Sequence, residues 1–236
     1  ENKDIKLKYL ELAFGNHCNL KCRTCGPVYS STWGEELSRV KPEENGGYSA
    51  LRRGDGTNIL KSLEEENQYQ KVEKIYFAGG EPLIMNEHYV ILNNLKKYGR
   101  TDVKISYNTN FMNLFFKKTP VWKLWNKFDN IQLQTSIDGL DGRGEYIRKG
   151  FNMDTYKTNL NLVRTNSPHV KIGASIAVSI LNTLHIFDLI DTLINDLKFN
   201  PHLININFVF GPSYYNPQNL TTGSVTVKAL IRKYPQ

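Results

Sequence analysis

The residues with the clearest chemical potential lie in one short stretch, His17-Cys18-Asn19-Leu20-Lys21-Cys22-Arg23-Thr24-Cys25-Gly26-Pro27. It holds all three cysteines of the chain, spaced C-x3-C-x2-C. Three thiolates on one loop can hold three irons of a cubane cluster and leave the fourth iron open to another ligand. A closed structural site wants four protein ligands. Two plainer readings stay open: a zinc site completed by His17, or three unrelated cysteines. The five histidines form no His-x-x-x-His pair, and there is no serine nucleophile elbow. His17 could tune a bound metal through an outer contact, but a bland turn residue is the favoured reading.

The spacing resembles the signature of the radical S-adenosylmethionine enzymes. The resemblance implies that Cys18, Cys22 and Cys25 carry a [4Fe–4S] cluster whose open iron is chelated by S-adenosylmethionine. It also implies cleavage of that cofactor to a 5′-deoxyadenosyl radical. Thr24 departs from the family pattern, which places an aromatic residue there, against the adenine. Gly79-Gly80-Glu81-Pro82 resembles the second signature, in which Gly79, Gly80 and Glu81 would receive the methionyl amine. Ser136 and Asp138, in Ser-Ile-Asp-Gly, resemble contacts to the ribose and carboxylate side. Asn110 falls where relatives approach the ribose or the substrate. Arg148 resembles the arginine that pairs with the cofactor carboxylate in peptide-modifying relatives, a surface arginine being the plain alternative. Asn182 is similar to a polar contact of a relative, or is a helix cap. Val209 and Phe210 would line the adenine.

The resemblance runs from about Leu7 to Pro212 and is nearest the subgroup with SPASM or twitch extensions. Those extensions carry further cysteines, and this chain has none after Cys25. Either the extension lies beyond Gln236 or it is lacking. An electron donor such as flavodoxin or ferredoxin is implied. The implied substrate is a peptide or protein side chain, or a small metabolite such as a nucleoside or pterin precursor. A non-catalytic Fe–S or zinc module that recruits nucleic acid is the reading from a different class.

The chain has 236 residues, 40% hydrophobic and 22% charged, enough for one large α/β domain with a full core. Clustered cysteines argue against a secreted disulfide framework and fit a reducing cytoplasm. No apolar run approaches the ~20 residues of a spanning helix, and the charged start lacks a signal core. The absence of an initial Met suggests a processed N-terminus. The net charge of +7 reads as scattered surface charge more readily than as a nucleic-acid site, and it leaves room for a positive mouth toward an anionic substrate or redox partner.

These residues need elements to position them. Strand and helix patterns alternate six times, which predicts parallel βαβ units and a partial (β/α)6 TIM-like barrel. A full eight-unit barrel takes about 250 residues. Strands are expected near 7–15, 74–78, 103–109, 130–137, 170–179 and 203–210. Helices are expected near 32–40, 57–68, 87–98, 119–125, 154–167 and 182–194. Thr32 and Glu35 have capping-box spacing, with Trp33, Leu37 and Val40 inward. Asn86, Asp154 and Asn182 are expected caps. Residues 1–212 read as one domain with an insertion at about 41–68. Residues 213–236 read as a polar tail, with a helical pattern near 225–231, or as the start of a truncated twitch-like extension. The unusual motifs all fall at strand C-terminal ends, where such barrels keep their active sites. Alternation sends Ile131, Leu133 and Ile137 toward the helices, and Gln132, Gln134, Ser136 and Asp138 inward. Asn207 is inward on the sixth strand, opposite Ile206, Phe208 and Phe210. Gln132, Gln134 and Asn207 are therefore expected to meet substrate.

Overall fold

The computed structural model describes residues 6–41 and 56–220. Its centre is a six-stranded sheet: β1 Tyr9–Leu12, β2 Lys74–Phe77, β3 Lys104–Thr109, β4 Ile131–Ser136, β5 Lys171–Val178 and β6 Ile204–Phe208. The strands lie in chain order and every neighbouring pair is parallel. Parallel neighbours taken in chain order require a crossover on the same side each time, so the sheet curls into a partial (β/α)6 barrel. The described α-helices longer than a single turn are α1 Ser31–Val40, α2 Gly56–Glu65, α3 Asn86–Lys97, α4 Asp141–Ile147, α5 Met153–Asn166 and α6 Ile186–Asp191. None is long and apolar enough to cross a membrane.

The strand periodicity explains the layering. On β4, Ile131, Leu133 and Thr135 are buried, while Gln132, Gln134 and Ser136 are half-buried on the lumen side. On β3, Ile105, Tyr107 and Thr109 are buried against the helices. These side chains join Ile91, Leu92 and Leu95 of α3 in one core, each fully buried Leu or Ile being worth about 1.5–3 kcal/mol. Trp125 is in that core, and its indole N–H donates to the Tyr107 hydroxyl at 3.1 Å. His88 faces the same hydroxyl at 2.8 Å and is edge-on to Phe77. Burial lowers the His88 pKa to about 3, so it is a neutral core residue.

Several expected details differ. Val40 is exposed rather than inward. Neither Thr32 nor Glu35 caps α1; the Ser30 and Thr32 hydroxyls both donate to the Leu20 carbonyl, each at 2.8 Å. Asn86 is the first residue of α3, after Met85. Thr119–Pro120 pairs with Phe115–Phe116 in a small ribbon, leaving one helical turn at Trp122–Trp125. Asn152, not Asp154, caps α5 by accepting from the Thr155 amide. Ile206 and Phe208 of β6, and Phe210 just after it, are exposed; only short 3-10 turns, and no described α-helix, follow this edge strand. Half of the insertion, 42–55, and the helical pattern near 225–231 lie outside the described residues.

Candidate active site at the strand ends

The cysteine loop is fixed by a contact that its own sequence does not reveal. Lys21–Cys22 pairs antiparallel with Arg148–Lys149, and the Arg23 amide donates to the Ile147 carbonyl at 2.8 Å. Trp33 of α1 donates from its indole to the Cys22 carbonyl at 2.7 Å. Asn16 reaches across the loop to the Pro27 carbonyl, also at 2.7 Å. With the Ser30 and Thr32 hydroxyls on the Leu20 carbonyl, the loop backbone is held from two sides.

Donors surround the sulfurs. The Leu20 amide approaches Cys18 Sγ at 3.4 Å, the Asn110 amide nitrogen approaches it at 3.8 Å, and Arg148 Nη1 lies 3.7 Å from Cys22 Sγ. Burial pushes the Cys18 thiol up to about 12 and raises Cys22 and Cys25 as well. Three thiolates crowded together also repel one another. Such a set holds its charge only against a strong cation, and iron or zinc supplies one. Soft, clustered donors with N–H groups aimed at sulfur fit an iron–sulfur cluster. Among the described residues, no three His, Cys, Asp or Glu side chains are gathered to hold one metal ion.

The Gly79-Gly80-Glu81 turn packs directly on this loop. Gly79 has φ +97°, open to glycine at little cost. A Cβ on Gly80 would lie 2.2 Å from the His17 carbonyl oxygen. The close approach is fastened by the Gly80 amide on the Gly15 carbonyl (3.0 Å) and the Glu81 amide on the His17 carbonyl (2.8 Å). The Glu81 carboxylate is buried and turned to protein: it accepts from the Leu83 amide, the Thr109 hydroxyl and the Asn110 amide. Burial raises its pKa to about 7 despite those three donors. Glu81 thus ties the glycine turn to the end of β3.

At the end of β4, Asp138 is fully buried, and its Oδ2 lies 2.7 Å from Arg148 Nε. The two atoms are not aligned for a hydrogen bond, so the contact is an ion pair. Burial alone would lower the Arg148 pKa, but the Asp138 charge and the sulfurs raise it on balance. The other Asp138 oxygen accepts from the Ala177 amide at 2.7 Å. Asn182 donates to the Asp138 and Ala177 carbonyls and accepts from the Ser179 amide, so it clasps the ends of β4 and β5 and does not cap α6.

Two cavities result. A rim cavity of about 240 Å³ brings together Cys18, Cys22, Cys25, Gly79, Gly80, Asn110, Ser136 and Arg148. Glu81 and Asp138 stand directly behind it. Below it, a lumen cavity of about 590 Å³ is lined by Gln132, Gln134 and Asn207. Asn108 lines both. Val209 does not line the rim cavity; its amide continues the β5 pairing on the Val178 carbonyl.

No protein-family model and no curated protein matches the sequence. Solved structures do match its shape. Streptococcus suis SuiB bound to its precursor peptide SuiA superposes with a TM-score of 0.57 at 15% identity, over 96% of this chain and 46% of SuiB. Native anSMEcpe with bound AdoMet gives 0.57 at 18% identity, over 86% of this chain and 52% of that one. TYW1 with a lysine-pyruvate adduct bound gives 0.51 at 11% identity, over 95% and 73%. This chain shares the fold of these three structures. The chain spans about half the length of SuiB and anSMEcpe.

Within this shared fold, spacing alone had singled out the residues that the rim cavity brings together. The parts that hold them were not singled out: the Arg148–Lys149 ribbon, α4, and the Ser30, Thr32, Trp33 and Asn182 clasps. Only Trp33 and the hydroxyls beside the cysteine loop gave any hint, and they read as an ordinary helix start.

Proposed function

We propose that this chain is a radical S-adenosylmethionine enzyme that acts on a peptide or protein side chain. The observation that carries the reading is the single rim cavity that unites all three cysteines with Gly79, Gly80, Asn110, Ser136 and Arg148 at the C-terminal ends of the strands. Cys18, Cys22 and Cys25 would hold a [4Fe–4S] cluster, which together with S-adenosylmethionine would supply the one-electron radical chemistry for hydrogen abstraction from the substrate. The chain's own groups bind and orient. The glycine turn lets a ligand amine reach backbone carbonyls. Arg148, already beside Cys22 and Asp138, is the guanidinium nearest to a carboxylate at the cluster. The Ser136 hydroxyl and Asn110 amide suit ribose hydroxyls.

The lumen supports a peptide. Its lining is mostly neutral amides and hydroxyls, with Lys74 the one charged residue. Amides pair with amides, whereas a small charged metabolite would want a charge clamp. Gln134 Oε1 is buried with no hydrogen-bond partner among the described residues, an unsatisfied acceptor in the lumen wall. The test is anaerobic reconstitution followed by iron, sulfide and 5′-deoxyadenosine assays. About four irons per chain are expected, together with deoxyadenosine from a chemical reductant. Cys22→Ala should lose both. A stoichiometry near one zinc, or iron for two clusters, would overturn the reading.

A second expected result concerns coupling. Gln134→Leu, deep in the lumen and away from the rim, should leave iron content and uncoupled cleavage intact. With a peptide substrate in hand it should lower the ratio of product to deoxyadenosine by roughly tenfold or more, since small misplacement of the target hydrogen is costly. Loss of cofactor binding in this variant would mean the site reaches deeper than the rim.

A further inference from the structure

The lumen continues below the amides of β4. A further cavity of about 350 Å³ opens at the N-terminal ends of the strands and shares Lys74, Ser106 and Gln132 with the lumen. Asn108 joins the lumen to the rim, so one continuous passage runs the length of the barrel. Its far mouth is cationic. Lys74 opens β2 and Lys104 opens β3, side by side in the parallel register, an arrangement of like charges that disfavours pairing. Lys171 opens β5, across from Gln132. Alternation puts all three on the lumen side: Ile75 and Ile105 are buried toward the helices, and Ser175, two alternations on from Lys171, lines the lumen. The three lysines are exposed, and no acid among the described residues pairs with any of them. Lys74 lies over the Tyr9 ring, 5.2 Å from its centroid. Asp129 is the one carboxylate in the lining, and the nearby Glu73 is taken by Lys8 at 2.8 Å.

We infer that this mouth is a carboxylate-binding subsite for the peptide substrate. It anchors an acidic side chain, or the peptide's own C-terminal carboxylate, while the residue to be modified stands at the rim. The inference rests on the peptide reading above and narrows it to peptides that carry a carboxylate at a set distance. From Lys104 to Asn110 is six strand positions, roughly 20 Å at the usual strand rise. A small metabolite at the rim does not reach the lysines, whereas about six residues of extended chain do. Three cations with one carboxylate among them favour an anion at the end of an otherwise neutral passage, and lysine, a compact charge on a flexible stem, accepts either carboxylate source.

Titration calorimetry on the full chain compares three N-acetylated decapeptides of Asn, Gln and Ser. One carries a Glu-Glu pair near an amidated C-terminus, one is neutral with a free C-terminal carboxylate, and one is neutral and amidated. At about 50 mM salt at least one of the first two should bind roughly tenfold or more tightly than the third, and the preference should fade by about 300 mM. The tighter of the two identifies the carboxylate source. Lys104→Gln/Lys171→Gln should melt like wild type, since both side chains are exposed, and should lose the preference. Lys104→Glu/Lys171→Glu should reverse it in favour of a peptide with Lys-Lys in place of Glu-Glu, which a general loosening of the barrel would not do. Equal binding of all three peptides by wild type, or an acidic preference that survives in both variants, would overturn the subsite. So would inorganic phosphate binding more tightly than any of the peptides, the mark of a small-anion site. The enzymatic reading fails separately: reconstituted protein that makes no 5′-deoxyadenosine with dithionite sinks that reading whatever the peptides do. A cleaving protein indifferent to peptide charge sinks only the subsite.

Discussion

Replacing Arg148 by alanine is expected to cost the fold about 3–5 kcal/mol, the usual penalty for removing one partner of a buried ion pair. Asp138 has no exposed surface and its Oδ2 lies 2.7 Å from Arg148 Nε, so the variant leaves a carboxylate stranded in low dielectric. In a chain of this size the loss corresponds to a melting temperature lower by on the order of 10 °C. The Asp138→Asn/Arg148→Ala double variant should recover much of it. Asparagine can still accept from the Ala177 amide, and no charge is left unanswered. A guanidinium that served only a cofactor carboxylate would behave otherwise: metal-free Arg148→Ala would melt like wild type, and only cofactor affinity would drop. Thermal melts of the four metal-free proteins in the cycle decide between them. An unchanged melting temperature for Arg148→Ala would sink the structural role.

The sequence reading of Arg148 named a cofactor carboxylate and missed the buried pair with Asp138, and the reason is physical. Periodicity and turn chemistry are local signals. They located six strands, their inward faces and the motifs at their ends, because alternation of Ile131, Leu133 and Thr135 with Gln132, Gln134 and Ser136 is written in consecutive residues. The pairing of Cys22 with Arg148 joins residues far apart in the chain, and two-residue ribbons leave no periodic trace. Ser30, Thr32 and Asn182 carried cap-like chemistry, but their polar atoms were claimed by distant carbonyls. A hydroxyl or amide near a helix start has several possible partners, and tertiary structure selects among them. The outer face of β6 misled for the opposite reason: its apolar alternation is real, but at a sheet edge alternation does not say what covers it.

Gly80→Ala is expected to empty the site. The added methyl carbon would meet the His17 carbonyl oxygen at 2.2 Å, and the carbonyl carbons of Asn16 and His17 at 2.7 Å each. These are backbone atoms of the segment that leads into Cys18, so no side chain can swing aside to make room. Either the glycine turn or the cysteine loop must move. Both are anchored: the turn by Glu81 on Thr109 and Asn110, the loop by its bonds to α1 and to Arg148–Lys149. The cost should reach the upper end of overpacking, about 3 kcal/mol or more, and the shift falls on the ligand nearest the turn. Reconstituted Gly80→Ala should therefore hold less than roughly a tenth of the wild-type iron and make no deoxyadenosine, in keeping with the sensitivity of cluster sites to small displacements of their ligands. Gly26→Ala is the control. It adjoins Cys25, yet a Cβ there meets nothing within 4 Å, so iron content should match wild type. If Gly80→Ala reconstitutes fully and melts like wild type, the close packing of the glycine turn on the cysteine loop is not what holds Cys18 in place.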